Sequence, residues 1–153
     1  MSMQMKKSRE PTVLSVNRSM PSSEIIPVLA YPDVRDAVDW LCRAFGFTER
    51  LRIGSHRAQL NFGSGSIVIA GGRAEPGTAL PAVTGCSVMV RVRDADRHHE
   101  RAVEAGATII SPPGDYPYGE RQYTALDPGG HQWTFTQTVA DMDPADWGGE
   151  LLE

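Results

Sequence analysis

The segment CSVMVRV, residues 86–92, contains the side chain best suited to bind a charged ligand. Its alternation of apolar and polar residues is typical of a strand, in which successive side chains point to opposite faces of the sheet. Ser87, Met89 and Arg91 therefore share one face. A guanidinium at this place can bind a carboxylate or phosphate through two parallel hydrogen bonds. An ion pair between Arg91 and a carboxylate of a facing sheet or partner chain is the alternative, and the sequence leaves both open.

The segment HQWTFTQ, residues 131–137, alternates in the same way. Gln132 and Thr134 fall on one face, and Trp133 and Phe135 are predicted to pack in the core. The preceding DPGG, residues 127–130, combines a turn-initiating Asp, a Pro with a fixed φ and two glycines that tolerate positive φ. It predicts a hairpin, with His131 expected at its surface.

Two further groups of residues have side chains that can take part in acid–base or binding chemistry. The segment HRAQLNFG, residues 56–63, reads as a strand and contains His56, a candidate general base, and Gln59, a candidate ligand contact. No carboxylate partner for His56 can be identified from the spacing. The Pro/Gly-rich segment SPPGDYPYGERQY, residues 111–123, is predicted to be a loop in which Tyr118 and Arg121 contact a ligand; the alternative is aromatic packing within a turn.

The elements that must position these residues occur twice along the chain. A strand-like run, IIPVLAY, precedes a helix with Asp33 as its N-cap and Gly46 as its stop, and three strand-like runs follow. After a Pro/Gly-rich linker the same order returns, with Asp94 as the N-cap and Gly106 as the stop. The pattern predicts an α+β fold built from two tandem β-α-β-β-β modules, each with one helix on one face of its strands.

The predicted boundaries follow from this duplication. Residues 1–23 are expected to form a flexible N-terminal arm and residues 24–138 the domain, with residues 139–153 as a C-terminal tail. Within the domain, module one covers residues 24–72, the linker 73–84 and module two 85–138.

The overall charge and hydropathy exclude several classes of partner. The net charge of −4 provides no basic surface for nucleic acid. No apolar run approaches the roughly 20 residues that a membrane-spanning helix needs, so we expect no membrane partner and a cytoplasmic location.

The doubled unit resembles the vicinal oxygen chelate superfamily, which includes glyoxalase I, bleomycin-resistance proteins and extradiol dioxygenases. The resemblance rests on PDVRDAVDWLCRAFGF, VRDADRHHERAVEAGA and LDPGGHQWTF. It implies a cup lined by the inward faces of two curved mixed sheets, with metal ligands, where present, on the first and last strands of each half. It also implies a homodimer.

The metal-ligand places implied by this resemblance hold unsuitable residues. They fall on Ile26, Ser87, Thr134 and the strand SGSIVIAGG, which contains no Asp, Glu or His. Iron, zinc and nickel in such a site prefer imidazole nitrogen or carboxylate oxygen. We therefore expect no catalytic metal and no other cofactor.

Three functions remain open at this stage. The first is a binder, similar to the bleomycin-resistance branch, for a small molecule that is aromatic or amphiphilic and can be anionic. The second is a metal-independent lyase or isomerase in which His56 or a loop tyrosine moves a proton and Arg91 stabilises an oxyanion. The third is an assembly module whose cup is filled. The residues expected to contact a ligand are Gln59, Ser87, Met89, Arg91, Tyr118, Arg121, Gln132 and Thr134.

Overall fold

The computed structural model describes residues 16–72 and 86–152. The predicted linker 73–84 and residues 1–15 of the predicted arm lie outside the described residues. Module one contains β1 (Val28–Ala30), α1 (Val34–Phe45), β2 (Thr48–Ile53), β3 (Arg57–Phe62) and β4 (Gly65–Ala70). Module two contains β5 (Ser87–Arg91), α2 (Ala95–Glu104), β6 (Thr108–Tyr116), β7 (Glu120–Leu126) and β8 (Gln132–Thr138), and a short 3-10 helix follows at Pro144–Trp147.

Each module forms one curved four-stranded mixed sheet. The strand orders are β1-β4-β3-β2 and β5-β8-β7-β6, so the two sheets have the same topology. The first strand of each module pairs in parallel with the last, and the other pairs are antiparallel. The predicted α+β fold of two tandem β-α-β-β-β modules is confirmed.

The predicted helix caps are present in both modules. Asp33 accepts a hydrogen bond from the backbone N–H of Asp36, and Asp94 accepts one from that of Arg97, each at 3.0 Å. These bonds satisfy N–H groups that have no partner within the helix. Gly46 ends α1 with φ of 86°, a conformation that side chains with a Cβ disfavour. The equivalent Gly106 has φ of 87°.

The two modules share a single hydrophobic core, because the end of α1 reaches into module two. The ring centroid of Phe45 lies 4.7 Å from that of Phe135 and 5.4 Å from that of Trp133. Trp133 and Phe135 are fully buried and face this core, as their place in the alternation predicts. The side chain of Trp40 donates to the backbone oxygen of Ala105 at 2.7 Å, which fixes α1 against the end of α2. The helices thus lie on the core side of the sheets, and the polar faces of the sheets point away from it.

A buried carboxylate joins the two modules at the predicted DPGG turn. Asp127 is 5% exposed and accepts four hydrogen bonds. The hydroxyl of Tyr31 in module one donates at 2.6 Å and the indole nitrogen of Trp133 at 3.0 Å, both to Oδ2. The backbone N–H groups of Gly129 and His131 donate to Oδ1 at 2.9 and 3.0 Å. Burial, followed by the charge of Asp127, raises the pKa of Tyr31 well above its usual value.

The expectation that His131 lies at the surface is wrong. Its side chain is 7% exposed, its Nε2 lies 2.8 Å from the backbone oxygen of Ala30, and its ring centroid lies 4.6 Å from that of Tyr31. The hairpin tip packs on module one, a tertiary contact that local turn chemistry does not reveal.

The prediction that residues 111–123 form a loop is also wrong for most of that segment. β6 continues to Tyr116, and β7 starts at Glu120 after a short turn. β6 is an edge strand, where a proline removes no essential ladder hydrogen bond. Two register shifts between β6 and β7 accommodate the irregular segment around Pro112.

An ion-pair group ties α1 to β2 on the surface of module one. Arg35 donates two hydrogen bonds to the carboxylate of Glu49, at 2.8 and 2.9 Å, and Arg52 also pairs with it. The hydrogen bonds from Arg35 and then Arg52 lower the pKa of Glu49 to about 2.

Candidate functional site

A cavity of about 1140 Å³ lies between the two modules. Module one contributes the segment before β1 and the β3–β4 hairpin. Module two contributes β5, the turn that follows it and the first two turns of α2. Pockets that hold small molecules measure roughly 300–1000 Å³, so this cavity has room for such a molecule.

The module-one side of the cavity is mostly apolar. Phe47 and Phe62 form an edge-to-face pair with ring centroids 5.3 Å apart, and Ile67 lies beside them. Ile25 and Pro27 lie at the rim, where the Ile25 side chain is 85% exposed. Phe47 and Ile67 are only 5% and 4% exposed, so the apolar surface that a ligand would bury here belongs mainly to Phe62, Ile25 and Pro27.

The module-two side of the cavity is cationic. In the part of the chain that the structure describes, its charged lining residues are four arginines and a single aspartate, Asp94, although the net charge of the chain is −4. The arginines are Arg91, Arg93, Arg97 and Arg101. Within residues 16–72 and 86–152, none of the four forms a salt bridge.

Two of these arginines already have neutral partners. Arg101 donates to the backbone oxygens of Arg43 and Cys42, at 2.8 and 3.2 Å, at the C-terminal end of α1. A cation at this end of a helix interacts favourably with the helix dipole. Arg91 donates to the hydroxyl of Thr138 at 3.1 Å. Arg93 and Arg97 are solvent-exposed and have no side-chain hydrogen bond in the part of the chain that is described.

His98 also lines the cavity, but both of its ring nitrogens are engaged. Nε2 lies 2.8 Å from the backbone oxygen of Phe45, and Nδ1 is hydrogen-bonded to the hydroxyl of Tyr123. Burial lowers the pKa of His98, and the hydrogen bond with the backbone oxygen of Phe45 only partly offsets this decrease. Burial also raises the pKa of Tyr123. The neutral imidazole can donate to the carbonyl and accept from the phenol. His98 therefore stabilises the contact between the modules and has no free nitrogen to act as a base.

The polar face of the second sheet carries a connected set of hydrogen bonds. Ser87, Met89 and Arg91 pair in register with Gln132, Thr134 and Thr136, so the predicted alternation on β5 and β8 is correct. The hydroxyls of Thr134 and Thr124 lie 3.1 Å apart, and Gln122 donates to Thr136 at 3.1 Å. The pKa of Glu120 is lowered. Burial raises it, but the hydrogen bonds from Thr136 and Thr138 and the positive charge of Arg91 together outweigh the effect of burial.

The polar face of the first sheet is covered by residues of the chain's own N-terminal segment. The side chain of Gln59 donates to the backbone oxygen of Ser19 and Arg50 donates to that of Arg18, each at 2.8 Å. Arg50 also donates to the side-chain oxygen of Gln59. As a result Gln59 is only 4% exposed although it lies on the face opposite α1.

The predicted site residues are distributed over several parts of the molecule. Met89 and Arg91 line the cavity, whereas the other predicted ligand contacts are outside its lining. Tyr118 donates to Gln122 at 3.2 Å and lies against Trp147 of the C-terminal segment, with ring centroids 5.5 Å apart. Arg121 forms ion pairs with Asp96 and Asp115. His56 lies in the exposed turn before β3 rather than in a strand, so the predicted strand begins one residue later.

The residues at the implied metal-ligand places do not fit a transition metal. Ile26 has no donor atom, the Thr134 hydroxyl is paired with Thr124, and Ser66 on β4 donates to Asn61 at 2.7 Å. In the described part of the chain, no three His, Cys, Asp or Glu residues lie together in a way that could hold a metal ion. We derive no catalytic step through a metal.

The doubled module with its shared core defines a protein of the glyoxalase-like architecture. The family model "Glyoxalase/Bleomycin resistance protein/Dioxygenase superfamily" matches residues 25–135, and the chain belongs to this superfamily. Among solved structures it is similar to TioX from Micromonospora sp. ML1, with 37% identity and a TM-score of 0.63 over 77% of this chain and all of that one.

Two other similarities are more distant. The bleomycin-binding protein from Streptomyces verticillus, solved with copper(II)-bleomycin, has 24% identity and a TM-score of 0.55 over 74% of this chain and 93% of that one. An uncharacterised protein of Mycobacterium tuberculosis (strain H37Rv) is 28% identical over 131 residues, which cover 76% of this chain and 75% of that protein.

Sequence reasoning missed the cationic side of the cavity, although a signal for it was present. Arg93, Arg97 and Arg101 recur at intervals of four residues, and Arg97 and Arg101 lie on the same side of α2. No comparable signal identifies Phe47 and Phe62 as cavity residues, since a strand or turn pattern does not specify which module will face them.

None of the helices described is long and apolar enough to span a membrane.

Proposed function

We propose that this protein binds a small amphiphilic molecule in the cavity between its modules and does so without a catalytic metal. The observation that carries the proposal is the cavity itself: its volume of about 1140 Å³ suits a small molecule, and its module-one wall is built from Phe47, Phe62 and Ile67. Burial of apolar ligand surface contributes roughly 25 cal/mol per Å². The polar groups of the opposite wall would then orient the ligand.

The distribution of titratable groups favours binding over catalysis. His98 lines the cavity with both ring nitrogens engaged, and His56 lies outside the lining. A general base needs an available nitrogen or oxygen within hydrogen-bond reach of the reacting proton. The alternative of a metal-independent lyase or isomerase would have to recruit a residue other than these two histidines.

The bleomycin-binding protein is a fold relative that was solved with a small molecule bound. At 24% identity this likeness concerns the fold, so it supports the proposal only by showing that the architecture can hold such a ligand.

We extend the proposal to a cytoplasmic homodimer. β1 lies at an end of its sheet and outside the cavity lining, and an edge strand presents backbone groups with which a strand of a second copy can pair. Val28 on this edge is 56% exposed.

The proposal is tested by native mass spectrometry of the protein isolated from its own cells without chelators. We expect a small molecule to be retained at near-stoichiometric amounts, with iron, zinc and nickel well below stoichiometry by elemental analysis. Absence of any retained molecule, or one tightly bound metal ion per chain, would contradict it. Release of a chemically altered compound would favour the lyase or isomerase alternative.

A pair of variants assigns the retained molecule to the cavity. Val90→Trp fills the cavity from β5 and should abolish retention, whereas Val103→Trp, on an exposed part of α2 outside the lining, should retain the molecule. Circular dichroism verifies folding of each variant. If Val90→Trp does not fold, Ile25→Trp at the exposed rim replaces it, and unchanged retention in that variant counts against the cavity.

A further inference from the structure

The two sides of the inter-module cavity differ sharply in character. One side is formed by Phe47, Phe62 and Ile67, and the other carries Arg91, Arg93, Arg97 and Arg101. Among the described residues, only Asp94 brings a negative charge to the lining, and its carboxylate already caps α2 through the N–H of Arg97. The lining thus holds a local excess of positive charge within a chain of net charge −4.

Secondary-structure elements place these four arginines, so the excess of positive charge is a property of the fold. Arg91 is on β5, Arg93 lies in the turn before α2, and Arg97 and Arg101 lie one helical turn apart on α2. Residues four apart on a helix are neighbours on its surface. Because all four residues line one cavity, a ligand in it lies in a region of positive charge.

The four guanidinium groups differ in how free they are to bind. Arg101 holds the C-terminal carbonyls of α1, and Arg91 donates to Thr138. Arg93 and Arg97 are exposed and, within the described residues, have neither a salt bridge nor a side-chain hydrogen bond. They are the groups whose hydrogen-bonding capacity a ligand would use.

We propose that this cavity selects anionic amphiphiles: molecules with an aromatic or aliphatic body that packs on Phe47 and Phe62 and a carboxylate, sulfonate or phosphate group held by Arg93 and Arg97. A guanidinium binds such oxyanions in a planar, two-bond geometry that no neutral head group reproduces. The arginines attract an oxyanion and repel a cationic group, so they decide the sign of the ligand charge. This inference rests on the proposed function and names the ligand class for the same cavity.

The test compares two fluorescent probes with similar aromatic bodies. 1-Anilinonaphthalene-8-sulfonate carries a sulfonate, and N-phenyl-1-naphthylamine is neutral. Each is titrated into the full chain at low salt and at about 0.5 M salt, where charge interactions are screened over a few ångströms. We expect the sulfonate probe to bind more tightly at low salt, and only its affinity to fall as salt is raised.

Variants then locate the charge effect. Arg97→Gln should weaken the sulfonate probe about three-fold and Arg93→Gln/Arg97→Gln about ten-fold, as expected for partly exposed charge pairs, with the neutral probe unchanged. The matched control is Arg57→Gln, which removes an exposed arginine of β3 that lies outside the lining. It should leave both probes unchanged. Binding of the neutral probe also reports that each variant retains its cavity.

The outcomes separate this inference from the proposed function. Equal binding of the two probes, with no effect of the double substitution, would overturn the anion selectivity and leave an apolar binder. An equal loss in Arg57→Gln and Arg97→Gln would also overturn it, because the attraction would then be general surface charge. If neither probe binds, both the selectivity and the binding function are contradicted.

Discussion

Replacement of Asp127 perturbs the contact that holds the two modules, and hence the cavity walls, together. Asp127→Ala leaves the Tyr31 hydroxyl, the Trp133 indole N–H and the N–H groups of Gly129 and His131 without their shared acceptor. A hydrogen bond to a charged group contributes about 1.5–3 kcal/mol, but bonds to one carboxylate are not additive. Each buried donor left without an acceptor costs about 1–3 kcal/mol, and because the four costs are not additive we expect a total destabilisation of about 3–5 kcal/mol.

Conservative variants show that this effect comes from the hydrogen bonds. Asp127→Asn keeps one acceptor oxygen for the turn N–H groups but opposes an amide N–H to the indole N–H of Trp133, so we expect a loss of about 1–3 kcal/mol. Tyr31→Phe removes a single donor and should lose about as much. The double variant Tyr31→Phe/Asp127→Asn should lose less than the sum of the two single changes, because both single changes disrupt the same bond.

The free energy of unfolding of each variant is measured by urea titration followed by tryptophan fluorescence and by circular dichroism. Asp141→Ala, at an exposed position of the C-terminal segment, is the control and should lie within about 0.5 kcal/mol of the unchanged protein. If Asp127→Ala lies in the same range as that control, the buried carboxylate does not stabilise the contact between the modules and the reasoning is refuted.

Three individual contacts can each be tested by one substitution. Gly129→Ala should lower the free energy of unfolding by about 1–3 kcal/mol, because the added Cβ would lie 2.5 Å from a ring carbon of Tyr31. A melting temperature equal to that of the unchanged protein would contradict this close approach. Glu49 has a pKa of about 2 against a usual value of 4.5, so its ion pairs stabilise the fold above pH 4.5, and this stabilisation is lost as pH falls toward about 2. Glu49→Gln should remove this pH dependence of the free energy of unfolding, measured by urea titration. An acid profile unchanged in the variant would count against the ion pairs. Gln59→Ala removes the hydrogen bond to the backbone oxygen of Ser19, a loss of about 1 kcal/mol, and should speed tryptic cleavage after Arg18 about five-fold. An unchanged cleavage rate would show that this hydrogen bond does not hold the N-terminal segment on the sheet.

Local chemistry made the architecture predictable from the sequence. Asp33 and Asp94 cap their helices, Gly46 ends the first, and the DPGG turn connects β7 and β8, all as the side-chain types require. The alternation on β8 also places Trp133 in the core. Each of these features depends on residues close together in the chain.

Contacts between distant residues were not predictable in the same way. Asp127 reads as a turn residue, and nothing near it in sequence reveals that Tyr31 donates to its carboxylate from module one. Gln59 reads as an open-face strand residue, but the backbone of Ser19 covers it. Tertiary contacts decide both outcomes, because burial depends on which segment of the chain packs there.

We expect above all that a ligand binds between the modules, with its body against module one and its charge against α2. A crystal structure of the protein soaked with 1-anilinonaphthalene-8-sulfonate tests this claim directly. We predict the rings of the probe against Phe47 and Phe62 and its sulfonate within hydrogen-bond distance of Arg93 or Arg97. A cavity that stays empty at saturating probe, or a probe bound instead on the polar face of either sheet, would contradict it.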